Sequence, residues 1–411
     1  MTKKEFGEAI VSEIINSNAL NPEQYNVWLA EVEKDNGTIR QAIRIKDKFQ
    51  EGLELVPTLY IEDLFEMYED FNLSIYEASN RIVKRYDSAR ENPPQFDVNK
   101  VLSYESVKND LHFKLADPDI DKSTYPYLIK DGFKVFPYVE LSRDNESFAS
   151  FRVDDAKLAL WGVDIETVVE DALSNEKDVK YKLADMQDML PELMGLPIDV
   201  EVPNLLETSM SLDGGMYVLS NEKKYAGANG ILLSDIKEKI SELSGGDFYI
   251  LPSSKHEVII LPLNGVPEFH NPQSLADMVQ EINGDQVDEE DRLSNKAFLY
   301  DSETKTIVDA VEFEKEKQEI NNLATDIDNF MYDLDPYSYQ DDIGSDVVAR
   351  DKNKDNISKS LRTGDADHIV GFMRETIEDS DSFEIVEKAE KICERVEKIT
   401  NGKELSHGKS R

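Results

Sequence analysis

The sequence contains a single cysteine, Cys393, among its 411 residues. One thiol excludes both a disulfide bond within the chain and a metal site built from several thiolates. It also favours a reducing compartment, in which thiols are not oxidised. No stretch approaches the ~20 consecutive apolar residues that a membrane-spanning helix needs. These absences predict a cytoplasmic protein that does not cross a membrane.

Basic residues are few relative to acidic ones. The chain has 46 Lys and Arg residues against 85 Asp and Glu residues, which gives a formal net charge of −39. Such a charge repels nucleic-acid phosphates and anionic lipid surfaces. It therefore predicts no direct binding to nucleic acid or membranes. It favours a protein partner with a basic surface.

Known ligand-binding motifs are also missing. The sequence has no Gly-x-x-x-x-Gly-Lys loop and no Gly-x-Gly-x-x-Gly after a strand, so it predicts no nucleotide cofactor. The five histidines match no recognised metal-ligand spacing, and His112 is best explained as a structural residue. His256 and His270 are the weak candidates for a divalent metal. On balance the sequence predicts no metal and no cofactor.

One short segment brings together the residue types of a hydrolase. Ser253, Ser254, His256 and Glu257 place hydroxyl, imidazole and carboxylate groups within five residues. A serine nucleophile needs a base within hydrogen-bond reach and a group that orients the base. Neighbours in a tight turn seldom have that geometry, and Ser is also a common turn former. A structural turn is thus the favoured interpretation, and a catalytic site is the alternative.

Several patterns predict secondary structure. The segment Met216–Leu263 reads as strand, strand, helix and hairpin, with 230–233 as the second strand. Asn36-Gly37 between alternating apolar residues predicts an N-terminal hairpin, since a tight turn there needs positive φ. The apolar spacing over Tyr104–Ala116 predicts a helix. Together these elements predict an α+β fold, with mixed and antiparallel sheets covered by helices.

The chain also resembles a known family. The run Lys157–Val163, the strand Met216–Asn221 and the segment Phe248–Pro262 with its Ser-Ser-x-His-Glu turn are similar to the bacterial domain-of-unknown-function family DUF5688. The resemblance covers about residues 1–300. It implies no activity, cofactor or catalytic residue, because none is established for the family.

The C-terminal part has a different composition. Residues 285–346 contain 19 acidic and 5 basic residues, and Ile320, Leu323 and Ile327 begin a narrow apolar seam on an acidic helix. Three short helices follow over 355–400. This tail resembles small helical modules of conjugative and other mobile-element proteins. Its heptad-like spacing predicts docking on the body or pairing with a second chain, so a homo-oligomer is one expectation.

These observations predict six segments. They are an N-terminal hairpin-and-helix lobe (1–120), an α+β core domain (121–310), an acidic amphipathic helix (311–336), a linker (337–354), an all-helical module (355–400) and a disordered tail (401–411). The predicted function is non-catalytic binding of a protein partner, with a mobile-element association. The alternative is a hydrolase that uses Ser253–Glu257.

Overall fold

The computed structural model describes residues 1–34, 36–49, 56–91, 98–119, 124–143, 148–193, 202–252, 254–263, 271–335 and 346–408. The chain divides into two compact units, Met1–Ile307 and Val308–Arg411. Within the described residues, no helix is both long enough and apolar enough to span a bilayer.

The first unit contains three sheets and the helices that cover them. Its helices are α1 (Lys3–Asn16), α2 (Glu62–Phe71), α3 (Ile75–Glu91), α4 (Tyr104–Val107), α5 (Asp155–Trp161), α6 (Ile165–Glu176), α7 (Met186–Leu193), α8 (Ser234–Ser244) and α9 (Pro272–Asp285). Its strands are β1 (Tyr25–Glu33), β2 (Ile39–Asp47), β3 (Leu59–Tyr60), β4 (Leu111–Ala116), β5 (Leu128–Lys130), β6 (Phe133–Arg143), β7 (Phe148–Arg152), β8 (Tyr181–Asp185), β9 (Tyr217–Asn221), β10 (Phe248–Leu251), β11 (Val258–Pro262) and β12 (Phe298–Asp301), with β13 (Thr306–Asp309) at its end.

The N-terminal lobe is a three-stranded sheet, β1-β2-β3, packed against α1 and α3. The predicted hairpin is confirmed, because β1 and β2 pair antiparallel and Gly37 has φ +78°. Phe6, Ile10 and Ile14 lie one helical turn apart on α1 and are fully buried. They belong to a hydrophobic core of residues between Phe6 and Tyr86 that is separate from the core of the rest of the unit.

The other two sheets share the second core. One has the order β4-β6-β5, with β7 also paired to β6, and the other has the order β13-β12-β10-β11-β9-β8. All the strand pairings are antiparallel among the described residues. Every residue of β10 is buried, and its antiparallel pairing with β11 confirms the predicted hairpin. The α+β class is confirmed.

Two predicted elements are wrong in whole or in part. The predicted helix Tyr104–Ala116 is helical only over α4 and a 3₁₀ turn at Lys108–Asp110. Residues 111–116 form strand β4, where buried Leu111, Phe113 and Leu115 alternate with half-buried residues. Leu111 and Leu115 also fit the helical i, i+4 spacing, so the pattern was ambiguous. The second predicted strand, 230–233, mostly lies in a 3₁₀ turn, Gly227–Leu232. All the residues of this turn are buried, so its apolar run reflects burial and not strand structure.

The second unit is helical. It contains α10 (Ala310–Leu334), α11 (Asp346–Thr363), α12 (Asp367–Asp379) and α13 (Phe383–Gly408), whose buried faces form one hydrophobic core. The acidic helix therefore packs with the three predicted C-terminal helices. α11 begins at Asp346, inside the predicted linker 337–354, and the part of that linker up to residue 345 lies outside the described residues. Asp328 of α10 is fully buried and accepts hydrogen bonds from Arg350 and Asn353 of α11.

Candidate functional site

A cleft of about 930 Å³ opens in the first unit. Its lining comes from all three sheets and from the turns beside them. The strands β1, β2 and β3 supply one part of it, and β4, β6 and β7 supply another. The start of α5, the segment before β5 and the turns of the third sheet supply the rest. The lining residues are Val32, Glu33, Lys34, Arg44, Tyr60, Lys114, Tyr125, Tyr138, Ser150, Phe151, Arg152, Asp154, Lys157, Lys224, Tyr225, Lys255, His256, Glu290 and Asp291.

The charge of this lining is opposite to that of the chain. Seven Lys and Arg residues face four Asp and Glu residues in the cleft, whereas acidic residues outnumber basic ones almost two to one in the whole sequence. A concave surface with low-dielectric walls concentrates the field of the charges that line it. The described lining of the cleft therefore carries an excess of positive charge in a chain with a large excess of negative charge.

The guanidinium group of Arg44 is not fully hydrogen-bonded among the described residues. It lies on β2, opposite Trp28 of β1, and is half-buried. Its Nε atom is buried and has no hydrogen-bond partner among the described residues. A buried donor without a partner costs about 1–3 kcal/mol.

The turn Glu289–Asp291 links the N-terminal lobe to the cleft through Glu290. Its carboxylate is 2.8 Å from Lys34 Nζ and 2.5 Å from Arg40 Nη1. Burial favours a higher pKa for Glu290, but hydrogen bonds from Lys34 and Arg40 outweigh burial, and the pKa lies below its usual value. Glu290 is therefore ionised at neutral pH and joins β1, β2 and the turn.

Asp291, the next residue, makes the corresponding contacts on the other side. Its Oδ1 atom is 3.2 Å from His256 Nε2 and 2.8 Å from Lys255 Nζ. The hydrogen bond from His256 is the main reason that the pKa of Asp291 is far below its usual value, and Lys255 adds to this effect against the opposing effect of burial. Glu290 thus contacts basic groups of the N-terminal lobe, whereas Asp291 contacts basic groups of the turn between β10 and β11.

Both nitrogen atoms of the His256 ring are engaged. The backbone N–H of Ala226 donates to Nδ1 at 3.2 Å, so the proton of the neutral ring is on Nε2 and points to Asp291. The main chain around the ring is equally constrained, because Ser220 Oγ donates to the His256 carbonyl at 2.8 Å. Gly227 is required here, since a Cβ atom would overlap that carbonyl oxygen and lie 2.5 Å from Ser220 Oγ. His256 is a fixed part of the wall of the cleft.

Four tyrosine rings of the cleft each have a basic group close by. Lys34 Nζ is 4.2 Å from the centroid of the Tyr60 ring, and Arg152 Cζ is 4.6 Å from that of Tyr125. Lys114 Nζ lies between two rings, 5.1 Å from that of Tyr138 and 5.5 Å from that of Tyr225. These distances are in the range of cation–π attraction. The contacts hold each ring and its cation next to each other on the surface that a ligand would meet.

Ser254, His256 and Glu257, the described residues of the predicted hydrolase site, lie between β10 and β11. Ser253 and His270 lie outside the described residues. Ser254 Oγ accepts a hydrogen bond from the backbone N–H of His256 at 3.0 Å. Among the described residues, Asp291 and not Glu257 is the carboxylate bonded to the His256 ring. The described part of the chain has no group of three or more His, Cys, Asp or Glu residues that could hold a metal.

His112 lies outside this cleft and is half-buried, as predicted for a structural histidine. Its Nδ1 atom is 3.4 Å from Glu176 Oε2, and its ring stacks on that of Tyr138 at 5.7 Å. Glu176 is buried and accepts a hydrogen bond from Tyr181 OH at 2.5 Å. Burial and the neighbouring Glu176 carboxylate raise the pKa of Tyr181 well above its usual value.

Sequence reasoning identified His256 but missed the other main residues of the cleft. Asp291 lies in an acidic run that reads only as a change in composition. Arg44, Lys114 and Arg152 lie on separate strands, and each alternates with buried residues as any solvent-facing strand residue does. The sequence did carry one local signal for these residues: each is basic in a chain where acidic residues outnumber basic ones almost two to one. Their convergence depends on tertiary structure.

Comparison with known proteins identifies a family. The model of a family of unknown function, DUF5688, matches residues 3–302. No curated protein and no solved structure matches the chain. The match covers the unit that contains the cleft and ends before α10.

Proposed function

The chain belongs to the DUF5688 family of unknown function, and we propose that it is a non-catalytic binding protein that takes a compact anionic ligand into the cleft. The observation that carries this proposal is the excess of Lys and Arg residues in the cleft of so acidic a protein. Ion pairs with Glu290, Asp154 and Asp291 give Lys34, Lys157 and Lys255 a structural role, but basic residues still outnumber acidic ones in the lining. A ligand with negative charge gives them a common purpose.

The size of the anion follows from the rest of the surface. The charge of −39 repels any polyanion that extends beyond the cleft. A volume of about 930 Å³ is in the upper part of the range for small-molecule pockets. A ligand that fits entirely within the cleft meets the basic lining and avoids the acidic exterior. The expectation that the protein does not bind nucleic acid directly is compatible with this ligand.

The hydrogen bonds of His256 favour binding over hydrolysis. A general base must have a nitrogen lone pair directed at the proton that it removes. In the His256 ring, Nδ1 already accepts the Ala226 N–H, and Nε2 donates to Asp291. Serving as the base for Ser254 would require the ring to leave one of these bonds. The hydrolase alternative therefore has less support than the binding function.

The acidic exterior supports a second proposal, a protein partner with a basic surface. Its association would be electrostatic and should weaken as the salt concentration rises. A complex that persists unchanged between low and high salt would contradict it. Association with mobile elements is proposed from the resemblance of the helical tail alone, and the genes that neighbour this one would test it.

Isothermal titration of the full chain with inorganic pyrophosphate tests the anion site. We expect saturable binding that weakens with added salt. Arg44→Gln should weaken it by about ten- to a hundredfold, because a charge-assisted hydrogen bond of about 1.5–3 kcal/mol is lost. Lys46→Gln is the matched control, since Lys46 is exposed on the same strand and is not part of the cleft lining.

Two results would contradict the proposal. One is the absence of any pyrophosphate binding at millimolar concentration. The other is an equal loss of affinity in both variants, because that would show a general effect of surface charge and not a site at Arg44. Thermal unfolding of both variants would first establish that each is folded.

A further inference from the structure

We infer that the anion is a nucleotide, whose base lies against the tyrosine rings of the cleft while its phosphates meet the Lys and Arg side chains. This inference rests on the proposed function and names the chemical class of its ligand. It is carried by the arrangement of rings and cations together, and not by the positive charge alone.

Four tyrosines line the cleft, and each has a cationic group near its ring. Tyr60 has Lys34, Tyr125 has Arg152, and Tyr138 and Tyr225 share Lys114. A site for a simple anion needs donors and positive charge but gains little from rings. Bases stack on aromatic side chains, and phosphates pair with Lys and Arg. A molecule that has both a planar ring and phosphates matches both parts of this lining.

Other compact anions fit less well. Phosphate or pyrophosphate alone would leave most of a cleft of about 930 Å³ filled with water and would not contact the rings. A sugar phosphate without a base presents many hydroxyl groups, which Asn and Gln side chains bind well. Neither residue type occurs in the described lining of the cleft. The lining consists mainly of rings and charged groups, which is the composition that a nucleotide requires.

Two acidic residues of the cleft are compatible with phosphate binding because both are paired with basic groups. Asp291 and Glu290 are already bound to Lys255, His256, Lys34 and Arg40. They do not face an incoming phosphate as bare charges, because their basic partners neutralise them. Arg44, a half-buried basic residue of the cleft lining, is one of the groups that would meet the phosphates.

The test compares parts of a nucleotide by isothermal titration of the full chain. The probes are ADP, UDP, adenosine, inorganic pyrophosphate and a ten-residue thymidylate strand. We expect at least one of the two nucleotides to bind at least tenfold more tightly than both adenosine and pyrophosphate. We expect the ten-residue strand to bind more weakly than that nucleotide, because its ends would lie over the acidic exterior.

Variants of two half-buried tyrosines separate stacking from charge. Tyr125→Leu and Tyr225→Leu should each weaken nucleotide binding about tenfold and change pyrophosphate affinity less than twofold. Tyr125→Phe and Tyr225→Phe keep the ring and should restore binding to within about threefold. Tyr76→Leu is the control, because Tyr76 is 60% exposed on α3 and is not part of the cleft lining.

The outcomes distinguish this inference from the function on which it rests. If pyrophosphate binds as tightly as the nucleotides and the Leu variants have no effect, the cleft binds anions but the nucleotide inference is overturned. Tighter binding of the ten-residue strand would overturn it in favour of single-stranded nucleic acid. If no probe binds, both the inference and the proposed function fail.

Discussion

Replacement of Gly227 by alanine tests whether the turns beside the cleft are packed as closely as the structure shows. A Cβ atom at this position would overlap the His256 carbonyl oxygen, and it would lie 2.5 Å from Ser220 Oγ and 2.9 Å from the Asn221 nitrogen. Two of these three atoms belong to the backbone, which cannot move aside as a flexible side chain can. One of the two turns must therefore shift.

The expected loss of stability follows from two contributions. Overpacking of a closely packed site typically costs 1–3 kcal/mol. Separation of Ser220 from His256 also breaks their 2.8 Å hydrogen bond, and such bonds contribute about 0.5–1.5 kcal/mol. We expect Gly227→Ala to lower the free energy of unfolding of the first unit by about 2–4 kcal/mol.

Urea unfolding monitored by tryptophan fluorescence measures this change selectively. The two tryptophans of the chain, Trp28 and Trp161, both belong to the first unit, so the helical unit doesn't contribute to the signal. Gly284→Ala is the control. Gly284 is exposed near the end of α9, and a Cβ atom there would meet nothing within 4 Å. It should stabilise the unit by up to about 1 kcal/mol, because alanine favours the helix.

A Gly227→Ala protein within 0.5 kcal/mol of the parent would refute this reasoning, since 0.5 kcal/mol is about the effect of an ordinary surface substitution. A loss of similar size in Gly284→Ala would also refute it, because the effect would then come from any added methyl group. The packing at His256 predicts opposite signs for the two variants.

Three further predictions concern other parts of the chain. Asn229→Ala should cost the first unit about 1–3 kcal/mol in urea unfolding, because Asn229 is 1% exposed and donates to the Phe113 carbonyl at 2.7 Å. Asp328→Ala should destabilise the helical unit by about 1–3 kcal/mol, because it removes the buried acceptor of the hydrogen bonds from Arg350 and Asn353, and faster hydrogen exchange in α10 and α11 would show this. The pKa of Glu290 is lower in the folded protein than in the unfolded chain. The ionised Glu290 therefore contributes its full stabilisation when the pH is above its pKa in the unfolded chain, and this contribution is lost as the pH falls through its pKa in the folded protein. Acid unfolding followed by fluorescence should therefore show a shallower decline in Glu290→Gln than in the parent.

Each of these three predictions can fail clearly. An Asn229→Ala protein as stable as the parent would mean that water replaces the amide without cost. Unchanged exchange rates in α10 after Asp328→Ala would show that the buried ion pair contributes nothing. If Glu290→Gln and the parent lose stability in the same way as the pH falls, the contacts with Lys34 and Arg40 do not depend on the ionisation of Glu290.

Elements with strong local signals could be predicted from the sequence. The N-terminal hairpin was predicted because Asn36-Gly37 favours a tight turn, and the hairpin of β10 and β11 because two apolar runs flank polar turn formers. The segment 111–116 was misassigned because Leu111 and Leu115 also fit the helical i, i+4 spacing, and the segment 230–233 because its apolar run reflects complete burial and not strand structure. Local patterns were reliable where a turn residue marked the boundary, and also where an apolar seam repeated over several helical turns, as in α10.

The cleft could not be predicted because its residues meet only after the sheets are assembled. His256 was singled out for its neighbours Ser254 and Glu257, yet the carboxylate that contacts its ring is Asp291, from a distant acidic turn. The net charge of −39 also suggested that the protein avoids anions. That inference averages over the whole surface, whereas the cleft depends on where a few basic residues converge.

A crystal structure of the full chain with a bound nucleoside diphosphate would test the central claim most directly. We predict that the phosphates lie in the cleft within hydrogen-bond distance of Arg44, and that the base contacts the ring of Tyr125 or Tyr225. A nucleotide bound elsewhere on the protein, with the cleft occupied only by water, would contradict the claim.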